Sequence, residues 1–269
     1  MTDYYCTLAK VYDADKHDVT GWVWSEKLDG VRALWRPDEG RFVSRSNKPL
    51  NVPPSWLKMM AEVKIPLDGE FFMGRGRFNE TISAVRKKAP TEEQFIGVKY
   101  AVFDAVVEQA DFAERLSMAE MAVARVKDTR LFVHLHTTVT NMASIGVAYL
   151  SIMASGGEGI MFRNPGSQYE FKRTSNLLKM KGEIDGKATV RAIQPGKGKH
   201  EGRMGALEVD AFYEGKAISF EVGTGFTDEE RQWWWDNDPV GQVIRWRGME
   251  LTVDDSVRFP VYVCRDEGD

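Results

Sequence analysis

The sequence predicts an α+β protein of two domains, the first built on mixed or antiparallel sheets and the second a small all-β barrel. Three observations carry that expectation. Strand-like alternation crowds the first eighty residues, helical spacing is confined to four separated stretches, and a glycine-rich passage near residue 182 opens onto short strands. With 269 residues, 43% of them hydrophobic, the chain can fill sizeable cores.

Taken in order, GWVWSEKLDGVRALWRP (21–37), RFVSRSNKP (41–49) and IPLDGEFFMG (65–74) read as strands punctuated by Gly, Pro and Asn. Apolar positions three and four apart predict helices over 54–63, 78–89, 114–128 and 144–156. Residues 99–106 and 159–165 return to strand. Gly182, Gly186, Gly196, Gly198, Gly202 and Gly205 then mark a change of character, which places the boundary between a domain 1–183 and a domain 184–269. LEVDAFYEGKAISFEVGTGF (207–226) is strand, short turn, strand, and suits an OB-fold.

The net charge of −4 argues at first against a polyanionic partner, but its distribution does not. Residues 71–88 and 187–203 each carry five basic residues against one acidic, whereas 204–269 holds six basic and fifteen acidic. Two basic stretches are thus available to phosphates. No apolar run reaches the roughly 20 residues that span a bilayer, and MTDYYCTLAKVY lacks the apolar block of a signal peptide. A cytoplasmic chain, or one already trimmed of a leader, is expected, with no membrane partner. Cys6 and Cys264 stand far apart and match no metal-ligand spacing.

Lys27 is conspicuous in SEKLDGVRALW (25–35), a cation among residues that want burial. An attacking amine must be unprotonated, which at neutral pH describes only about one ordinary lysine in a few thousand. Apolar flanks such as Trp22, Trp24, Val31 and Leu34, with a nearby cation such as Arg32 or a metal, favour the neutral amine. Gly30 would let a substrate approach the backbone. Asp68, Glu70, Glu158 and Arg163 likewise sit in or beside apolar strands, where an unpaired charge is costly. Lys179 and Lys181, two apart in a strand, share one face. Carboxylates at 70 and 158 offer hard oxygens to Mg²⁺ or acceptors to a ribose.

In this order, KLDGVR, SRS, LDGEFF, VFD, EGIMFR and LLKMK resemble the motifs of the covalent nucleotidyltransferases, and within them the ATP-dependent DNA ligases, from about residue 20 to the C-terminus. The resemblance implies a nucleotidyltransferase domain followed by an OB-fold domain, with ATP as AMP donor and Mg²⁺ or Mn²⁺ as metal. It also implies a monomer acting on nicked double-stranded DNA through a lysyl-AMP and then an adenylated DNA. Carried onto this sequence, Lys27 is the nucleophile and Ser25 and Glu26 line the nucleotide site. Arg32 contacts phosphate and ribose, Glu70 the ribose hydroxyl, and Phe103 stacks on adenine. Lys179 and Lys181 hold the α-phosphate, while Glu158, with Glu70, binds metal. Arg258 in RFP orients the leaving pyrophosphate, with Arg265 assisting. Ser44 and Arg45 grip the nick's 5'-phosphate, Arg45 also touching nucleotide. Arg75, Arg77, Lys87, Lys88, Arg173, Lys197 and Lys199 complete the DNA contacts. Asn47 stands where the family often has glycine, and asparagine tolerates the left-handed backbone such a turn needs.

The short stretch before Lys27 and the tight turn FYEGKA, with no room for an inserted hairpin, resemble the minimal two-domain ligases of bacteria and their viruses, the Lig E kind. An RNA ligase or capping-type nucleotidyltransferase would share the lysine motif, and a non-catalytic nick-binding module is the alternative from another class. Trp233, Trp234 and Trp235 cannot share one strand face, so at least one is expected to point outward. His134 and His136 are read as one pleat face of a strand LFVHLHTTV.

Overall fold

The computed structural model describes residues 6–182, 184–249, 251–252 and 254–266. Residue 183, where the sequence ends the first domain, and the acidic end of the chain at 267–269 lie outside the described residues. In chain order come β1 (Leu8–Val11), β2 (Val23–Glu26), β3 (Val31–Arg36), β4 (Arg41–Ser44), β5 (Pro49–Leu50), α1 (Pro54–Met60), β6 (Leu67–Phe72) and α2 (Phe78–Val85). They are followed by β7 (Lys99–Ala105), α3 (Phe112–Ala124), β8 (Leu131–Val133), β9 (Thr137–Thr138), α4 (Met142–Ala154), β10 (Gly159–Arg163) and β11 (Arg173–Lys181). The remainder is β12 (Ile184–Pro195), β13 (Met204–Tyr213), β14 (Lys216–Val222), α5 (Asp228–Asp236), β15 (Val243–Gly248) and β16 (Val261–Arg265). Two compact units result: Met1–Asn141 with Ile160–Lys179, and Met142–Gly159 with Met180–Asp269. Among the described residues no helix is long and apolar enough to cross a membrane.

The first unit holds two mixed sheets, in the orders β1-β11-β10-β2-β9 and β5-β4-β3-β6-β7-β8. Alternation along β3, β6 and β7 sorts side chains between two faces. Ala33, Trp35, Leu67, Phe71, Tyr100 and Val102 enter one buried cluster with Phe42, Trp56 and Phe95, on the side covered by helices. Truncating one such aromatic costs about 3–5 kcal/mol. The other face carries Arg32, Leu34, Asp68 and Glu70, with Arg32 opposite Glu70 and Leu34 opposite Asp68. It turns towards the first sheet, where Leu34 and Val43 pack with Cys6 and Tyr169.

A β-bulge interrupts β6–β7: Asp68 pairs with Asp104 but Gly69 with Val102, so Phe103 is the unpaired extra residue. Bulges re-aim side chains. Here parity flips after Val102, which puts Ala105 in the apolar cluster and Asp104 on the face of Asp68. Helix α3 starts where Asp111 and Glu114 form a reciprocal capping box.

The second unit contains an antiparallel sheet in the order β14-β13-β12-β15-β16. Its inward face buries Val190, Leu207, Val209, Phe220, Ile244 and Trp246. The edges meet not through a ladder but where the Tyr262 N–H donates to the Thr224 carbonyl, 2.8 Å away. Helix α4 belongs to this unit. Arg247 Nη2 donates to the Met153 carbonyl at its end (2.9 Å), and Phe259 packs on Tyr149.

Two local expectations need correction. The second unit is not all β, because the three tryptophans lie on α5, which the capping box of Thr227 and Glu230 initiates. On a helix they fan out, Trp234 being 1% exposed and Trp233 and Trp235 36% and 40%. His134 and His136 do not share a strand face either. β8 stops at Val133 and β9 begins at Thr137, leaving both in the connection.

Candidate active site

Lys27 is half-buried and stands one residue past the end of β2, in the connection 27–30 that carries the chain from one sheet of the first unit to the other. The residue before it is held at two points. The Glu26 carbonyl accepts from His134 Nε2 (2.8 Å), and its carboxylate accepts from Arg75 Nε and Nη2 (2.7 and 2.8 Å). Ser25 is buried beneath it. At the far end of the connection the Gly30 N–H donates to Glu70 Oε1, 3.0 Å away. A Cβ on Gly30 would lie 2.2 Å from the Phe71 carbonyl oxygen, so only glycine permits this approach.

Beside Glu70, Arg32 forms a two-pronged pair with Asp68, Nε lying 2.6 Å from Oδ1, and Nη2 also donates to the Thr7 carbonyl (3.1 Å). Its guanidinium carbon stands 4.8 Å from the centre of the half-buried Phe103 ring. Burial opposes the charge on Arg32, but Asp68 more than offsets it, so the guanidinium stays a firm cation. Tyr169 Oη also donates to Asp68 (2.6 Å). Next to it, Asp104 accepts from Arg115 Nε (2.7 Å) and Arg163 Nη1 (2.8 Å). The half-buried Arg32 and the buried Arg115 and Arg163 thus surround two opposed carboxylates on the face that also carries Glu70. Sequence reasoning singled out Asp68 and Arg163 as costly charges but missed Asp104, Arg115, Tyr169 and His134. The remaining signal was an Asp inside the apolar strand KYAVFDA.

Lys179 ends the first unit on β11, where its carbonyl accepts from the Tyr12 N–H (2.8 Å). It is half-buried, with Leu178 and Met180 buried on either side, as strand alternation requires. Lys181 and Glu158, both half-buried, belong to the second unit. There Gly159, at φ +148°, lets Met180 and Lys181 pass so close that a Cβ would lie 2.1 Å from the Met180 carbonyl oxygen. Arg258 is also in the second unit, preceding Phe259 at φ 51°. In the first, Ser44 and the exposed Arg45 open a turn in which Asn47 adopts φ 62°.

Of the basic residues, Arg75 is committed to Glu26 and Arg77 to Glu80, its Nε 2.9 Å from Oε1. Lys87, Lys88 and Arg173 are exposed in the first unit, and Lys197 and Lys199 in the second. Arg173 donates to the Ala9 carbonyl. Among the described residues no group of three or more His, Cys, Asp or Glu side chains is set to hold a metal by itself. Glu70 and Glu158 fit Mg²⁺ or Mn²⁺ in donor chemistry, since such ions take few protein carboxylates and complete their shell with water and phosphate oxygens.

Comparison with known proteins agrees with this frame. A family model described as ATP dependent DNA ligase domain matches residues 7–181, and one described as DNA ligase OB-like domain matches 195–265. A DNA ligase of Haemophilus influenzae is 30% identical over 255 residues, covering 95% of this chain and 90% of the relative. The structure of a Lig E DNA ligase superposes with a TM-score of 0.62 at 28% identity, covering 98% of this chain and 99% of its own. The Chlorella virus DNA ligase-adenylate shares the fold, with a TM-score of 0.71 at 23% identity and full coverage of both chains. The chain belongs to the ATP-dependent DNA ligase family. It is a ligase that uses ATP and acts on DNA, with a nucleotidyltransferase domain joined to an OB-fold domain.

Proposed function

We propose that this enzyme seals 5'-phosphate/3'-hydroxyl nicks in duplex DNA as a monomer, with residues 1–183 as the catalytic domain and 184–269 as the OB domain. The observation that carries the reading is the position of Lys27 on the sheet-to-sheet connection, with Glu70 tied to the same connection through Gly30. In the first step the Lys27 amine, having lost a proton to solvent, attacks the α-phosphorus of ATP. A P–N bond forms and the P–O bond to pyrophosphate breaks. Next the nick's 5'-phosphate displaces lysine from the AMP, and finally the 3'-hydroxyl attacks that phosphate and expels AMP.

Such transfers need positioning and neutralisation of charge more than covalent help. Glu70 takes the ribose hydroxyl, Phe103 stacks on adenine, and Lys179 and Lys181 hold the α-phosphate. Arg32, committed to Asp68, presents a fixed cation next to the Phe103 ring. Glu158 and Glu70 would each offer an oxygen ligand to Mg²⁺ or Mn²⁺, which would add to the neutralisation of phosphate charge. Ser25 and Glu26 line the nucleotide, and Arg258, aided by Arg265, orients the leaving pyrophosphate. Ser44, Arg45, Lys87, Lys88, Arg173, Lys197 and Lys199 meet DNA, and Arg75 and Arg77 join them where phosphate competes with their carboxylates.

Intact-protein mass spectrometry tests this. Incubation with ATP adds one AMP, nicked duplex DNA removes it with sealing, and Lys27→Ala shows neither. A Lys27→Ala chain that still gained AMP and sealed nicks would overturn the assignment. Sealing of nicked RNA in preference to DNA would overturn the substrate.

A further inference from the structure

We propose that His134 is a positioning residue for attack by Lys27, holding with its main chain the strand of the adenine platform and with its imidazole the peptide before the nucleophile. The inference rests on the roles just proposed for Lys27 and Phe103.

Carbonyls two residues apart in a strand point to the same side. Trp22, Trp24 and Glu26 therefore all direct theirs towards β9. The Trp22 carbonyl receives the Val139 N–H at 2.7 Å, and Trp24 pairs with Thr137, the first residue of β9. Beyond Thr137 no strand continues, yet the Glu26 carbonyl needs a donor. His134 Nε2 supplies it at 2.8 Å. An imidazole does what a longer β9 would do, but without laying a strand alongside the connection that carries Lys27.

The same residue reaches the other sheet. Its N–H donates to the Val102 carbonyl (2.7 Å), one residue before Phe103. A single residue thus spans from the neighbour of the ring to the neighbour of the amine, and it sets the separation between them. The Glu26 oxygen can only accept, so Nε2 carries the hydrogen. Burial pushes the imidazole below its ordinary range, which keeps it neutral in that tautomer. His136 Nδ1 lies 2.8 Å from the His134 carbonyl and steadies the connection.

The test separates steps that need Lys27 as nucleophile from one that does not. In single-turnover experiments on the full chain, His134→Ala should slow lysyl-AMP formation from ATP by roughly ten- to a hundredfold, the scale of a small misplacement. Sealing of a nick already adenylated on its 5'-phosphate, which bypasses the lysine's attack, should stay close to wild type. His134→Phe, which keeps the ring but has no donor, should behave as His134→Ala. His134→Gln, whose amide places a donor near Nε2, should recover most of the rate. Equal loss in both steps, an unchanged first step, or a Gln variant no better than Ala overturns the proposal. Wild-type protein that forms no AMP adduct would instead overturn the reading of Lys27.

Discussion

Replacing Asp104 by asparagine changes almost no volume but removes the one charge that two buried arginines share. Asp104 and Arg115 are both 0% exposed, and Arg163 lies nearly as deep. The carboxylate takes Arg115 Nε at 2.7 Å and Nη2 at 3.2 Å on one side and Arg163 Nη1 at 2.8 Å on the other. Arg115 keeps two carbonyl acceptors, Ala110 and Ser167, each at 2.8 Å, which limits its loss. Arg163 meets Asp104 through Nη1 at 2.8 Å, and the new amide would turn a donor towards one of the cations. Breaking a buried pair from one side costs about 3–5 kcal/mol. With Arg115 partly satisfied, the lower end, about 3 kcal/mol, is expected. At about 2–4 °C per kcal/mol that lowers the melting temperature by about 6–12 °C. Urea unfolding followed by tryptophan fluorescence, to which Trp35 and Trp56 in the first unit's core contribute, reads the loss. The double variant with Arg163→Met should lose less than the sum of the singles. A single-variant loss below about 1 kcal/mol, or strict additivity, would refute the view of Asp104 as a shared counter-ion.

Three further outcomes follow from the same geometry. If about six phosphates are met by Arg45, Lys87, Lys88, Arg173, Lys197 and Lys199, nick affinity should fall by about three orders of magnitude between 50 and 200 mM salt; a salt-insensitive affinity contradicts this. Glu170 is held down to about 2 by the Thr174 hydroxyl, the Asn176 amide and Lys172. A depressed acid stabilises above its unfolded value, so Glu170→Gln should be the less stable form at pH 6 and the difference should vanish as pH falls from about 4.5 towards 2, which denaturant unfolding at several pH values measures. Trp234→Ala, at a fully buried site, should cost about 3–5 kcal/mol, whereas Trp233→Ala should stay within about 1 kcal/mol, as paired unfolding curves will show.

What the sequence disclosed and what it withheld divide along physical lines. Period-two alternation exposed β3, β6 and β7, and the family resemblance marked the turn at Asn47, whose φ of 62° is what an asparagine there permits. Lys179 and Lys181 on one face of β11 follow from the same period. Helix α5 was legible but overlooked, since T-D-E-E opening a run is a capping signal that the tryptophan triplet overshadowed. The network behind the site was not legible in the same way. Arg163 meets Asp104 across 59 residues and Tyr169 meets Asp68 across 101, and no local pattern announces a partner at that distance. His134 was hidden differently. Its role comes from β9 being two residues short of Glu26, and strand ends are where sequence patterns speak least clearly.

The extra residue in β7 decides which changes of length the strand can absorb. Losing Phe103 alone would remove the ring but leave Gly69 paired with Val102 and Asp68 with Asp104, so plain alternation would keep Ala105 in the helix-covered hydrocarbon and the acid beside its two arginines. Point substitutions at 103 leave that phase untouched. A deletion elsewhere in this strand would reverse the faces of the residues beyond it and is vetoed by their packing before nucleotide chemistry is ever consulted, whereas at 103 only the ring itself is at stake.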